Sequence, residues 1–268
     1  MARRSRLDRE LVRRGLARSR EHAVTLIEAG RVKVRGGTAT KPATMVDAAE
    51  PVHVASDEAT VEYVSRGGHK LAGALAVFTP LGLTVEGRRC LDAGASTGGF
   101  TEVLLRAGAA EVVAVDVGYG QLAWSIQTDP RVRVHDRTNV RDLTPEQIGG
   151  AVELTVADLS FISLRLVLPA LAGCTRDDGD LVLMVKPQFE VGRGKVGSGG
   201  VVRDTALRAE AVCGVAETAA TMGCGVAGLA ASPLPGPSGN VEFFLWLRRD
   251  APPLDPDQLA EVVQEEMR

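Results

Sequence analysis

At 268 residues with 45% apolar side chains, the chain can pack one or two cores, and no apolar run approaches the ~20 residues of a membrane-spanning helix. Four cysteines (Cys90, Cys174, Cys213, Cys224) without CxxC spacing point to buried thiols of a cytoplasmic protein, and no metal site is expected. The net charge of −3 conceals an asymmetry: residues 1–41 carry 12 Lys and Arg against 4 Asp and Glu, and the remainder 19 against 30, as in a basic module for a polyanion joined to an acidic body.

The opening MARRSRLDRELVRRG is basic but has no apolar segment after it, so no secretory signal is expected. Leu7, Leu11 and Val12 fall at helical spacing, and Gly15 breaks the pattern. Ser19 is placed to cap a second helix over 20–29 that buries Ala23, Leu26 and Ile27 and ends at Gly30. Val32–Val34 and Val52–Val54 read as short strands. Arg3, Arg4, Arg6, Arg9, Arg13, Arg14, Arg18 and Arg20 crowd around the helix pair, and a guanidinium fork can make two bonds to one phosphate. The run LDRELVRRGLARSREHAVTLIEAGRVKVRG, above all RGLARSR and EAGRVKVRG, resembles the alpha-L RNA-binding module named after ribosomal protein S-four, over residues 6 to about 55. Such modules read structured RNA through backbone and shape. The resemblance implies RNA contacts from Arg3, Arg4, Arg6, Arg14, Arg18 and Arg20, within a domain spanning 1–59.

A polar, acidic stretch follows, and the linker is placed at 60–67, before a second domain over 68–268. Arg66-Gly67-Gly68-His69 suggests a hinge that relays RNA docking, and 70–78 a helix with Leu71, Leu75 and Val77 inward. Strands are expected near 88–92, 111–116, 131–135, 152–157, 180–185, 224–231 and 241–247, with helices near 99–107, 120–127, 164–172, 204–222 and 256–266. This alternation implies a doubly wound α/β sheet, with a small α+β domain before it. The last two strands are joined by SPLPGPSGN, too short for a crossover helix, so they should pair antiparallel. Seven strands ending in such a hairpin is the pattern of a Rossmann-like class I methyltransferase.

The stretch CLDAGASTGGFT reads as strand, glycine turn and helix, which brings backbone and unpaired N–H groups close to a ligand. Its DxGxxxGG spacing differs from the dinucleotide fingerprint GxGxxG. Asp116, about 20 residues on, ends the next strand and can accept both ribose hydroxyls. S-adenosylmethionine fits this pair at least as well as NAD. Asp92, Gly94, Ser96, Gly98, Gly99, Phe100 and Asp116 are the candidate cofactor residues, with Asp136 or Asn139 near the adenine edge.

Ligands of open α/β sheets sit beyond the carboxyl ends of the strands, where Asp158 and Lys186 stand. The segment after the fourth strand, Asp158-Leu159-Ser160-Phe161, lacks the prolines of the (D/N)PP(Y/F/W) turn used for amine methylation, and no cysteine ends a strand to attack a pyrimidine carbon. A ribose 2′-hydroxyl instead needs a lysine that takes its proton and steadies the oxyanion. Carboxylates beside such a lysine favour its charged form, so base action calls for a compensating positive charge or for desolvation. In order, Lys70, Asp158, Lys186 and Glu242 resemble the Lys-Asp-Lys-Glu tetrad of FtsJ-type ribose 2′-O-methyltransferases. The segment 191–202 (VGRGKVGSGGVV) reads as a mobile loop closing on RNA through Arg193 and Lys195, and Arg66 is a further RNA candidate.

SRGGHKL, CLDAGASTGGFT, DVGYGQL, ADLSFISL, KPQFE and SPLPGPSGN together resemble the TlyA (hemolysin A) family nearly end to end. The resemblance implies 2′-O-methylation of cytidine in ribosomal RNA or ribosomal subunits, with S-adenosylmethionine as cofactor. Two other classes stay in view: a membrane-active protein, as the hemolysin name suggests, and a noncatalytic RNA-binding factor. Dye release from liposomes separates the first, and titration with S-adenosylmethionine the second.

Overall fold

In the first unit, Met1–Glu62, β1 (Ser5–Arg6) leads into α1 (Leu7–Arg13) and α2 (Arg20–Glu28), followed by β2 (Val32–Val34), β3 (Gly37–Thr38), β4 (Met45–Val46) and β5 (Val52–Val54). The computed structural model describes residues 4–17, 19–47, 49–55, 62–236 and 238–264, and only the backbone of residue 193. Ser19 Oγ accepts from the amide of His22 at 3.1 Å and so caps α2. Leu7, Leu11, Ala23, Leu26, Ile27 and Val32 form the core, with β2 central in an antiparallel β3-β2-β5 sheet and β1 paired to β4.

Two carboxylates, Asp8 and Glu10, each 2% exposed, gather much of the arginine crowd in this unit. Asp8 accepts from Arg6 Nε at 3.1 Å and Arg20 Nη2 at 2.8 Å, and Glu10 from Arg13 Nε at 2.8 Å and Arg14 Nε at 2.7 Å. Burial works to raise the Asp8 carboxyl, but the hydrogen bonds of Arg6 and Arg20 hold it down at about 2. Arg13, then Arg14 and Ser5, hold Glu10 well below the usual carboxylate range against its burial.

The second unit, Tyr63–Arg268, runs α3 (Arg66–Phe78), β6 (Arg89–Ala93), α4 (Gly99–Arg106), β7 (Glu111–Val115), α5 (Trp124–Gln127), β8 (Val132–His135), β9 (Val152–Ala157), α6 (Leu164–Cys174), β10 (Thr175–Val185), α7 (Pro187–Glu190), α8 (Thr205–Ala220), β11 (Cys224–Ala231), β12 (Phe243–Arg249) and α9 (Pro256–Gln264). The sheet order is β11-β12-β10-β9-β6-β7-β8, with β12 antiparallel to both neighbours and the other pairs parallel. Side chains alternate between two cores. Leu91, Val113, Leu183 and Leu245 enter one, and Cys90, Val112, Met184 and Phe244 the other, as the two-residue period of a doubly covered sheet requires.

Four expectations change, one of them at Val77, which is expected to face inward and is exposed. The helix over 120–127 shrinks to the single turn of α5, next to the glycines of Gly118-Tyr119-Gly120, which disfavour helix. Strand β10 starts at Thr175, directly out of α6. Helix α3 starts at Arg66 rather than residue 70, so residues 66 and 67 of the expected linker are helical, while residues 60 and 61 lie outside the described residues. The expected hinge over 66–69 is therefore the first turn of a helix. Its glycines serve contact: a Cβ at Gly68 would lie 2.4 Å from the Cβ of Tyr63, and one at Gly99 only 2.8 Å from the amide nitrogen of Gly68. Helix α3 meets α4 across that contact and buries Leu71, Ala74, Leu75 and Phe78 at helical spacing.

Candidate active site

The crossovers reverse direction where β6 lies between β7 and β9, and the loops after β6 and β9 meet there. Gly94 leaves β6 at φ +87°, and a Cβ on it would lie 2.6 Å from the carbonyl oxygen of Asp158. Only glycine fits that position. Ser96 also takes a left-handed conformation (φ +47°), with its amide donating to Asp116 Oδ2 at 2.8 Å, while Gly118 N donates to Oδ1 at 2.6 Å. The acid after β7 thus holds the glycine turn in place, and a carboxylate retains further acceptor positions for a ligand.

A cleft of ≈ 370 Å³ opens at this point; Gly94, Ser96, Gly99, Phe100, Lys70, Asp158 and Lys186 are among its lining residues. Lys186 is 8% exposed. Its Nζ lies 2.5 Å from Asp158 Oδ1 and donates to Ser160 Oγ at 3.0 Å. Lys70 Nζ donates to Glu242 Oε2 at 2.5 Å, and that carboxylate is 1% exposed. Two lysines from distant parts of the chain thus face one cleft, each held by an acid. Lys186 Nζ thus sits between the carboxylate of Asp158 and the hydroxyl of Ser160 at the cleft.

Other candidates take different places. Asp92 is fully buried beneath the turn and accepts from Thr101 Oγ1 at 2.6 Å rather than lining the cleft. Burial pushes its carboxyl up to about 7. Asp136 accepts from the amide of Gly120 at 2.9 Å and Asn139 from that of Arg141 at 3.1 Å, and neither is among the cleft's lining residues. Gly98, in the left-handed region at φ +93°, precedes α4.

Among the RNA candidates, Arg66 reaches the cleft and donates to the carbonyl of Pro235 at 2.9 Å. Lys195 is paired with Glu210 at 2.5 Å. Arg14 also spends its fork on the carbonyls of Glu50 (2.7 Å) and Asp47 (3.0 Å), so it is a brace of the first unit. Arg4 is exposed. Arg3 and Arg18 lie outside the described residues, as does the side chain of Arg193. Sequence reasoning missed Ser160, although it stands two residues after Asp158, and Phe161, which is 92% exposed at φ +65° with its ring 5.3 Å from that of Phe189. The large apolar side chain left in water was its signal, and exposure is not legible in sequence.

A seven-stranded sheet with an antiparallel β12, a glycine turn at its switch point and an acid after β7 defines a class I methyltransferase domain. The FtsJ-like methyltransferase family matches residues 63–249, and the S4 domain family matches residues 5–52. The chain is 64% identical over 248 residues to the 16S/23S rRNA (cytidine-2'-O)-methyltransferase TlyA of Mycobacterium tuberculosis, covering 92% of this chain and 91% of that protein. It is 36% identical to Hemolysin A of Brachyspira hyodysenteriae, over 89% of this chain and 98% of that one. The solved structure of a hemolysin-named protein from Streptococcus thermophilus superposes with a TM-score of 0.75 at 40% identity, over 98% and 95% of the two chains. The chain belongs to the TlyA family of FtsJ-like methyltransferases.

Proposed function

We propose that this chain transfers the methyl group of S-adenosylmethionine to the 2′-oxygen of cytidine in ribosomal RNA. The observation that carries the reading is the pair of acid-held lysines facing one cleft beside the glycine turn. The cofactor suits these residues: a Cβ at Gly94 would fill the turn, and the Asp116 carboxylate, fixed by two amides, can accept ribose hydroxyls. When bound, S-adenosylmethionine supplies an electrophilic methyl group on a positively charged sulfur.

The chain's own residues do the rest. Lys186 takes the proton of the 2′-hydroxyl and steadies the negative charge that develops on its oxygen. Asp158 and Ser160 fix the position of Nζ, so that little motion separates bound RNA from reaction. Lys70, kept in place by Glu242, brings a second positive charge to the same cleft. Phe161 offers an apolar face on which the target base stacks. The S4 domain supplies RNA affinity, with exposed Arg4 among the phosphate contacts.

The test is nucleoside mass spectrometry of ribosomal RNA incubated with the pure protein and S-adenosylmethionine. The expected product is 2′-O-methylcytidine. Methylation confined to bases, or no transfer to free RNA or to either ribosomal subunit, would overturn the reading.

A further inference from the structure

Lys186 follows β10, whereas Asp158 and Ser160 stand in the loop after β9, so the setting of its Nζ depends on how two separate segments are held together. Lys186 opens the single turn of α7, and Glu190 closes it. Glu190 is 6% exposed and is not among the cleft's lining residues. Its carboxylate reaches instead to the far end of the loop after β9. There Oε2 accepts from Ser163 Oγ at 2.5 Å, and Oε1 from the amide of Leu164 at 2.7 Å. We infer that Glu190 is a positioning residue for methyl transfer, latching the loop after β9 to the Lys186 turn; the inference rests on the proposed function.

The latch is built from both sides. On one, the amide of Phe189 donates to the Lys186 carbonyl at 2.9 Å and that of Val191 to the Pro187 carbonyl at 3.1 Å, so Lys186 and Glu190 belong to one hydrogen-bonded turn. On the other, Ser163 caps α6 by accepting from the amide of Arg165 at 3.2 Å, which puts the acid at that helix's positive end. Arg165 folds back to the same place, with Nε 3.4 Å from Glu190 Oε2 and Nη2 donating to the Glu190 carbonyl at 2.8 Å.

A buried charge is costly unless it is bonded, and here both oxygens are bonded to the neighbouring segment. An apolar side chain can often fill such a site without loss of stability, but it cannot fix the register of two segments. Ser163 stands three residues after Ser160, so a loop freed at Glu190 is the loop that carries both partners of the Lys186 ammonium. A misplacement of ~1 Å in a reacting group can cost about a hundredfold in rate.

The experiment uses the full chain with ribosomal RNA and S-adenosylmethionine. In Glu190→Ala, single-turnover transfer at saturating RNA should fall at least about tenfold, with cofactor affinity within about threefold of native by calorimetry. Glu190→Gln keeps an oxygen for the Leu164 amide and gains an NH2 that can donate to the Ser163 hydroxyl, so its rate should return to within about threefold of native. Ser163→Ala cuts the same join from the other side, should lower the rate several-fold, and serves if Glu190→Ala does not fold. Because it also removes a helix cap, Asp255→Ala is the control. Asp255 caps α9 by accepting from the amide of Asp257 at 2.9 Å, and its loss should leave transfer at the native rate. A native rate in folded Glu190→Ala, or equal losses in Asp255→Ala and Ser163→Ala, would overturn the inference. Absence of transfer by the native chain would sink the proposed function instead, and amide hydrogen exchange would still read the latch. Residues 158–164 should exchange at least about tenfold faster in Glu190→Ala than in the native chain, and equal exchange there would overturn the inference.

Discussion

A carboxyl group walled off from water keeps its proton, and Asp92 is such a group, pushed up to about 7 by full burial. In the unfolded chain it ionises near 3.8. Between those values the native state holds a proton that the unfolded state has lost, so this group's contribution makes stability fall as pH rises from about 4 to 7. Asp92→Asn removes that loss. Urea unfolding at pH 5 and pH 8 should show the variant gaining about 2–3 kcal/mol relative to the native chain between the two pH values. An equal difference at both pH values would refute it. Ser160→Ala should lower kcat roughly tenfold and leave the RNA KM unchanged, because the hydroxyl orients Lys186 rather than binding substrate. Asp158 and Lys186 were legible because each ends an apolar run. Ser160 was not, since its place depends on how the loop after β9 folds back toward β10.

Among elements, the turn between β6 and α4 has no room for an added atom at Gly94. Gly94→Ala sets a methyl group against the Asp158 carbonyl in a left-handed conformation, so S-adenosylmethionine affinity should fall at least tenfold in a calorimetric titration. Stability should fall by about 1–3 kcal/mol. Native affinity in that variant would show that the turn has room to spare. Most strands of the seven-stranded sheet, the antiparallel β12 among them, were readable as apolar runs with turn signals on both sides. Strands β1, β3 and β4 have two residues each, too few for any alternation to register. Gly67 and Gly68 lower helix propensity and hide the start of α3 in the sequence, whereas in the fold a Cβ at Gly68 would meet Tyr63 and one at Gly99 of α4 would meet the backbone of Gly68.

At the scale of the whole molecule, the basic first 41 residues and acidic remainder were visible in composition, but the use of the arginines was not. Asp8 and Glu10 draw four of them into internal pairs, a pattern that only tertiary contact decides. Family members carry the hemolysin name, yet among the described residues no helix is long and apolar enough to cross a membrane. If methyl transfer is the chain's activity, liposomes loaded with dye stay intact at protein concentrations that methylate RNA; leakage would point to a separate membrane activity.

The most direct measurement pairs single-turnover methyl transfer to ribosomal RNA with calorimetric S-adenosylmethionine binding, for the native chain and Lys186→Ala. Transfer should fall by at least about a hundredfold while cofactor affinity stays within about threefold. Transfer at the native rate in a folded Lys186→Ala protein would contradict the account.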